Sequence, residues 1–175
     1  MNTRPIARLA MTALIVCGAA AHAAPVATTF RIQMTITSSC AVTTPPGDIN
    51  LGAVAARSGV VNVNGGNTIK VNCTKNTPFF IGLAPSDGNR NGQGTMHGAL
   101  GGNTDKVPYR LYSNAALTRA WGNTATRTRR GNGVAGTGAG MAAVNAVSFP
   151  AYAKVTNVDF RPDRYADTVT VRVQY

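Results

Sequence analysis

The alternation that decides the fold class lies in residues 29–37, which read TFRIQMTIT. Large apolar side chains occupy every second position and polar ones lie between them. This is the period of a β-strand with one apolar face and one solvated face. The chain ends on the same pattern, with TVTVRVQY over residues 168–175. These two segments predict an all-β protein.

Four further strand candidates lie between these ends, at residues 68–73, 79–83, 109–112 and 144–155. The turn-forming pairs around them are Asn64-Gly65, Asn91-Gly92, Pro45-Pro46 and Asn132-Gly133. Such pairs favour the tight backbone geometry that links short strands. The pattern predicts a single antiparallel β-sandwich of immunoglobulin type. Two stretches without apolar periodicity, residues 86–105 and 122–141, are predicted to be long surface loops.

The first 23 residues have the composition of a secretory signal peptide. Arg4 and Arg8 form a basic start, residues 9–21 are apolar, and small residues stand near position 23. The apolar run is too short to span a bilayer. We therefore expect export, cleavage of residues 1–23, a mature chain beginning near Ala24, and no membrane anchor.

The cysteines predict one disulfide. Cleavage would remove Cys17 and leave Cys40 and Cys73, and an even pair in an oxidising compartment normally forms a bond. The alternative is two buried free thiols. There is no CxxC spacing, so neither a redox site nor a zinc site is expected.

The charge is strongly basic, with 17 Lys and Arg against 6 acidic residues and a net charge of +11. A basic surface suits anionic partners such as acidic glycans or nucleic acid. The only tight basic group is Arg127, Arg129 and Arg130, which are candidates for anion contact, with an ordinary solvated surface as the alternative. Aromatic residues fall in or near strand patterns, and Trp121 is assigned to the core, so no nucleic acid partner is expected.

Residues suited to catalysis are scarce. His97 is the one histidine after the signal, and glutamate is absent. Asp163 and Asp167 are better explained as solvated charges than as an acid–base pair. The GxGxxG at residues 131–136 does not follow a buried strand, and the acidic opening at Asp87 lacks the final glutamate of a calcium loop. We expect neither an enzyme nor a cofactor.

The ends of the chain pose a structural question, because the pattern stops at Tyr175 without a closing hairpin. A sandwich that lacks its final strand has a groove with unpaired backbone groups and an open core. A strand contributed by a neighbouring molecule would fill that groove. The alternating segment at residues 29–37 has the pattern that such a strand needs.

At this point the sequence resembles a known family, over about residues 29–175. The matching segments are Ser38-Ser39-Cys40, Ile49-Asn50-Leu51-Gly52, Val71-Asn72-Cys73-Thr74, Tyr109-Arg110-Leu111-Tyr112, Trp121-Gly122 and Tyr165-Ala166-Asp167-Thr168-Val169-Thr170-Val171. Their order and spacing resemble the spore coat protein U domain family, subunits of archaic chaperone-usher pili. The sequence departs from the family at Leu51, where an aromatic is usual, and at Asp163-Arg164, where glycine usually precedes the tyrosine. Both departures concern packing and strand ends.

The resemblance implies an incomplete immunoglobulin-like fold that is completed by donor-strand complementation. Residues 24–38 would be the donor strand and residues 39–175 the pilin domain, with a disulfide between Cys40 and Cys73. The implied donor side chains are Phe30, Ile32, Met34 and Ile36. The implied acceptor groove and chaperone contact in the last strand consists of Val169, Val171, Val173 and Tyr175.

The implied function is that of a pilus subunit, exported through the periplasm to a cell-surface fibre and supporting adhesion or biofilm formation. Its partners would be identical or related subunits, a periplasmic chaperone and an outer-membrane usher. The alternative is a soluble secreted β-sandwich module that binds an anionic glycan or DNA.

Overall fold

The computed structural model describes residues 24–44 and 46–175. The predicted signal peptide, residues 1–23, lies outside the described residues. The chain divides into two units, one that ends at Thr35 and one that extends from Ile36 to Tyr175. The second unit contains all the secondary structure of the described residues.

Nine strands and one short 3-10 helix are present among the described residues. The strands are β1 (Cys40–Thr44), β2 (Val63–Cys73), β3 (Pro78–Ala84), β4 (Gln93–Gly98), β5 (Lys106–Tyr112), β6 (Val134–Thr137), β7 (Val147–Val155), β8 (Tyr165–Ala166) and β9 (Thr170–Gln174). The 3-10 helix spans Ala143–Asn145. No helix in this part of the chain has the length and apolar character needed to cross a bilayer.

The strands form two antiparallel sheets. The larger has the order β1-β2-β7-β5-β4-β8, and the smaller has the order β6-β3-β9. Apolar side chains from both sheets meet in one core, and the rings of Phe79 in β3 and Phe149 in β7 meet edge to face at 5.8 Å. The predicted antiparallel β-sandwich is confirmed. All five strand segments predicted after residue 40 are present, with bounds that shift by a few residues.

Trp121 is the largest fully buried side chain, which confirms its assignment to the core. Its indole Nε1 donates a 2.8 Å hydrogen bond to the carbonyl of Ile81 in β3. Burying an indole N–H without a partner would be costly, so this bond accounts for the fixed position of the ring.

The start of β1 is bound to the end of β2. Cys40 and Cys73 are directly paired in the β1–β2 ladder and are joined by a disulfide. Just outside the bond, the amide of Thr74 donates to the carbonyl of Ser39 at 2.9 Å, and the amide of Ser39 donates to Oγ1 of Thr74 at 2.9 Å. The domain therefore begins at a covalently fixed strand end.

A buried amide links β1 and β2 to a distant loop. Asn72 is fully buried, and its Nδ2 donates to the carbonyls of Ala142 at 2.7 Å and Gly140 at 3.2 Å. Its Oδ1 accepts a hydrogen bond from Oγ1 of Thr43. Because every polar atom of this side chain has a partner, its burial is compatible with a stable core.

Two predicted surface loops each contain a strand, so those predictions were wrong in part. β4 lies within residues 86–105 and β6 within residues 122–141. Their glycines face aromatic rings: a Cβ on Gly94 would clash with the ring of Tyr109, and one on Gly136 would clash with the rings of Phe79 and Phe149. Glycine is required at these positions because the rings occupy the space of a side chain.

The turn predicted at Asn64-Gly65 is also wrong. Both residues lie inside β2, paired with Lys154 and Ala153 of β7. The long β2–β7 ladder therefore outweighs the local turn preference of the dipeptide.

The alternating segment at residues 29–37 does not form a strand, and residues 24–39 contain no regular structure. A strand needs a neighbouring strand that accepts and donates its backbone hydrogen bonds. Residues 29–37 pair with no strand among the described residues. Residues 29–37 thus have the alternating pattern of a strand in the sequence but lack the hydrogen-bonded partner strand that would make them one.

Candidate functional site

The last strand of the domain lies at the edge of the smaller sheet. β9 pairs with β3, and no other strand of the described chain pairs with it. Its outer backbone groups are therefore available to another strand. We call this strand, together with Val169 before it and Tyr175 after it, the open edge.

The core is incompletely covered at the open edge. In the β3–β9 ladder Ile81 pairs with Val173, and Leu83 pairs with Val171, so each pair points to one face of the sheet. Ile81 is 0% exposed, whereas Val171 and Val173 are only half-buried. The apolar cover therefore stops between β3 and β9, on the side where a further strand would lie.

The residues at the two ends of the open edge are also only partly buried. Val169 is half-buried and packs against the core, and Tyr175 is 39% exposed. Val169, Val171, Val173 and Tyr175 follow one another at a spacing of two and present one apolar row. The structure thus brings together the residues that sequence analysis assigned to the acceptor groove.

The segment predicted as donor strand is exposed to solvent, whereas the open edge is half-buried. Phe30, Ile32, Met34 and Ile36 are each at least three-quarters exposed, with Ile32 at 89%. Four large apolar side chains at a spacing of two, all accessible to water, are unusual for a stable surface. One chain therefore carries both a half-buried apolar row in its domain and an exposed apolar row ahead of it.

The basic group at Arg127, Arg129 and Arg130 lies on an ordered turn and is exposed. The amide of Thr126 donates to the carbonyl of Arg129 at 2.8 Å, and the amide of Arg129 donates to Oγ1 of Thr126 at 3.1 Å. Asn132 fixes the base of this turn, because its Oδ1 accepts from the amide and the hydroxyl of Thr124. The turn is thus held by its own hydrogen bonds.

Two aspartates that sequence analysis considered as a pair have separate structural partners. Asp167 accepts a 2.5 Å hydrogen bond from the hydroxyl of Tyr109. Asp163 accepts from the amide of Leu100 at 3.0 Å and from Nδ2 of Asn103 at 2.7 Å. The two carboxylates therefore serve different loops and do not act together.

These contacts shift two pKa values. Burial, followed by the hydrogen bond and the negative charge of Asp167, raises the pKa of Tyr109 far above its ordinary value. Desolvation alone would raise the pKa of Asp163, but hydrogen bonds from Leu100, Asn103 and Arg164 outweigh it and lower that pKa. Both shifts belong to groups that fix loops next to β8 and β9.

The acidic opening at Asp87 forms turns. Oδ1 of Asp87 accepts from the amide of Asn89, and Oδ1 of Asn89 accepts from the amide of Asn91. Such local bonds are the usual role of these residues in loops. Across residues 24–44 and 46–175, no three acidic, histidine or cysteine side chains form a group that could hold a metal ion.

The fold and the open edge define a class: an immunoglobulin-like β-sandwich that lacks a closing strand and is preceded by a free alternating segment. The family model of the Spore Coat Protein U domain matches residues 26–172. The chain belongs to this family. The match includes the alternating segment and nearly all of the domain.

The solved structures to which the chain is similar include two chaperone complexes. One is the CsuC–CsuE chaperone–tip adhesion subunit pre-assembly complex from archaic chaperone-usher Csu pili of Acinetobacter baumannii, with 17% identity, a TM-score of 0.45 and coverage of 81% of this chain and 40% of that chain. The other is a chaperone–tip adhesin complex of CFA/I fimbriae, with 11% identity, a TM-score of 0.47, and coverage of 78% and 41%. The chain spans about two fifths of the length of each. No curated protein matches it.

Proposed function

We propose that this chain is a structural subunit of a surface pilus, assembled through donor-strand exchange by the chaperone-usher pathway and supporting adhesion or biofilm formation. The observation that carries the proposal is the change in burial across the β3–β9 ladder, from fully covered Ile81 to half-covered Val173. The half-buried side chains lie on the edge strand with which one additional strand would pair. Membership of the Spore Coat Protein U domain family supports the same conclusion.

Residues 24–38 are the donor strand in this proposal, and residues 39–175 form the domain that accepts one. The donor side chains Phe30, Ile32, Met34 and Ile36 would enter the groove of the next subunit. Each would contribute about 1.5–3 kcal/mol when fully buried. The outer backbone groups of β9 would pair with the donor backbone, as in other cases of strand addition.

The partners follow from the exposed edge. An unpaired strand beside an open apolar core invites aggregation unless another molecule covers it. A periplasmic chaperone would cover the open edge of each exported subunit, and an outer-membrane usher would exchange it for the donor strand of an identical or related subunit. The secretory composition of residues 1–23 supports this route.

The role is structural rather than catalytic in this proposal. Asp163 and Asp167 are engaged in hydrogen bonds that fix loops. His97 is exposed on β4, and its side chain makes no hydrogen bond to any residue that the structure describes, whereas general acid–base chemistry relies on a positioned proton partner.

The test compares Ile32→Asp with Gln33→Lys in cells that supply the chaperone and usher. A carboxylate at position 32 would be buried without a partner in the acceptor groove, at a cost of several kcal/mol. Residue 33 would face the rim, where a lysine is tolerated. We expect Ile32→Asp to give a chaperone-bound, disulfide-intact subunit that does not polymerise, while Gln33→Lys forms fibres. The measurement is fibre yield beside the yield of chaperone complex.

Two outcomes would contradict the proposal. If both variants polymerise equally, residues 24–38 are not the donor. If Ile32→Asp abolishes folding even with chaperone present, the segment belongs to the core of its own subunit. In that case the alternative, a soluble binding module for an anionic glycan or DNA, gains support, and the exported protein should elute from size exclusion as a stable monomer.

A further inference from the structure

A second surface feature lies at the opposite edge of the smaller sheet from β9. It is a cleft of about 540 Å³ between β6 and the turn that follows β5. Ser113, Arg119 and Ala120 form one wall, and residues 130–135 form the other. We call it the β6 cleft.

The β6 cleft is positively charged. Arg119 and Arg130 stand on its two walls, and no carboxylate lies among the described residues that line it. Both arginines are exposed, and neither guanidinium donates a hydrogen bond to another residue of the described chain. Their donors are therefore free for a ligand.

The backbone on both walls is held in place before any ligand binds. Oδ1 of Asn114 accepts from the amides of Thr118 at 3.2 Å and Arg119 at 2.9 Å. On the other wall, Nδ2 of Asn132 donates to the carbonyl of Arg90 at 2.8 Å, and the amide of Gly133 donates to the carbonyl of Arg130 at 2.9 Å. A fixed backbone lowers the entropy lost when the two side chains bind a ligand.

We propose that the β6 cleft binds the carboxylate-bearing sugar units of an acidic polysaccharide. The planar guanidinium fork binds carboxylates through paired hydrogen bonds, and the cleft offers one such group on each wall. Ser113 adds a hydroxyl suited to hydrogen bonding with a sugar, and Val134 adds an apolar surface. The volume lies in the range typical of compact ligands, roughly 300–1,000 Å³.

The lining favours a sugar over a nucleic acid. Single-stranded nucleic acid is held by aromatic platforms on which the bases stack, and no aromatic residue lines the β6 cleft. The basic group noted in the sequence is divided by this geometry. Arg130 lines the cleft, whereas Arg127 and Arg129 lie outside its lining.

The test uses the full exported chain in the assembly in which it is purified, with isothermal titration calorimetry at about 0.15 M salt. The probes are oligogalacturonate and the same oligosaccharide with its carboxylates reduced to alcohols. The variants are Arg119→Gln and Arg130→Gln. Arg57→Gln is the matched control, because it removes the same charge from an exposed residue outside the cleft, and the double variant Arg127→Gln, Arg129→Gln tests the rest of the basic turn.

We expect the unmodified chain to bind oligogalacturonate and not its reduced form. Each cleft variant should weaken binding about tenfold, as expected for the loss of a charged hydrogen bond. Arg57→Gln and the double variant should change it less than about twofold, because exposed charges outside a site act weakly at this salt. Arg119→Gln and Arg130→Gln should leave the fibre yield unchanged, which would separate the loss of oligogalacturonate binding from the proposed assembly function.

Four outcomes would overturn the proposal. They are no binding of oligogalacturonate, equal binding of the reduced probe, an equal loss with Arg57→Gln, and a loss confined to the Arg127, Arg129 double variant. Binding of single-stranded DNA that depends on Arg119 and Arg130, in the absence of oligogalacturonate binding, would also overturn it and indicate a nucleic acid ligand.

Discussion

The hydroxyl of Tyr109 in β5 donates a 2.5 Å hydrogen bond to the carboxylate of Asp167, in the short segment between β8 and β9. Tyr109 is a buried core residue, so the bond links the interior of the larger sheet to the chain entering the smaller one. It fixes Asp167 only two residues before Val169, the first apolar residue of the open edge. The core therefore helps to position the open edge.

Tyr109→Phe should change the response of the domain to alkali. The raised pKa means that the folded state keeps the phenol proton where the unfolded chain releases it. This contribution to stability is fully present below the ordinary tyrosine pKa of 10.0 and declines as the pH rises above it. We expect the free energy of unfolding to fall more steeply in the unmodified chain than in Tyr109→Phe. Urea denaturation at about pH 8 and about pH 11 measures both slopes.

Asp167→Asn is the companion variant, because it keeps an acceptor oxygen but removes the negative charge. Its alkaline slope should lie between those of the unmodified chain and Tyr109→Phe. Identical slopes for the unmodified chain and Tyr109→Phe would show that Tyr109 does not cause the alkaline loss.

Asp163→Asn should act in acid. The pKa of Asp163 is lowered in the folded state, so its hydrogen bonds stabilise the fold at pH values above the ordinary aspartate pKa of 3.8. This contribution is lost as the pH falls through the lower pKa of the folded state. We expect Asp163→Asn to be less stable at neutral pH and less sensitive to acid. Thermal unfolding followed by circular dichroism across this pH range tests both effects. Asp159→Asn, a change at an exposed neighbouring residue, should alter stability very little at pH 7. A loss of stability equal to that of Asp163→Asn would contradict the stabilising role assigned to Asp163.

Replacing both Cys40 and Cys73 with serine should lower the free energy of unfolding by about 3–4 kcal/mol. The bond closes a loop of sequence separation 33, and chain entropy predicts a cost of that size when such a link is removed. Urea denaturation of the exported protein measures the change. Cys17→Ser is the control, because the signal peptide would already have been removed from the mature chain. Equal stability of the double variant and the unmodified protein would mean that the bond contributes little to the domain.

The sequence predicted best those strands whose side chains alternate on a half-buried face. β3, β5, β7, β9 and the second half of β2 carry apolar residues at a spacing of two, so each face of the strand is visible in the sequence. β4 and β6 were missed because Gly94 and Gly136 take the positions where an inward side chain would have shown the alternation. The rings that exclude a side chain there come from other strands, and a single sequence does not display that relationship.

The two candidate sites also differ in how clearly the sequence shows them. The open edge was predictable because its apolar residues follow one another at a spacing of two in the sequence, from Val169 to Tyr175. The β6 cleft was not, because Arg119 and Arg130 belong to separate segments of the sequence, which line one cleft only in the folded domain. The adjacent arginines at 127, 129 and 130 gave a stronger signal in the sequence than the pair that shares a cleft.

The link between Cys40 and Cys73 also determines how the domain would bear tension. A pull on the chain ahead of Cys40 reaches β1 at its first residue and passes through the covalent bond to the end of β2. β2 is held to β7 along the ladder from Val63 to Val71, which is far longer than the pairing of β1. The load therefore bypasses the hydrogen bonds of the short edge strand β1, and stretching the N-terminal segment would not peel that strand away.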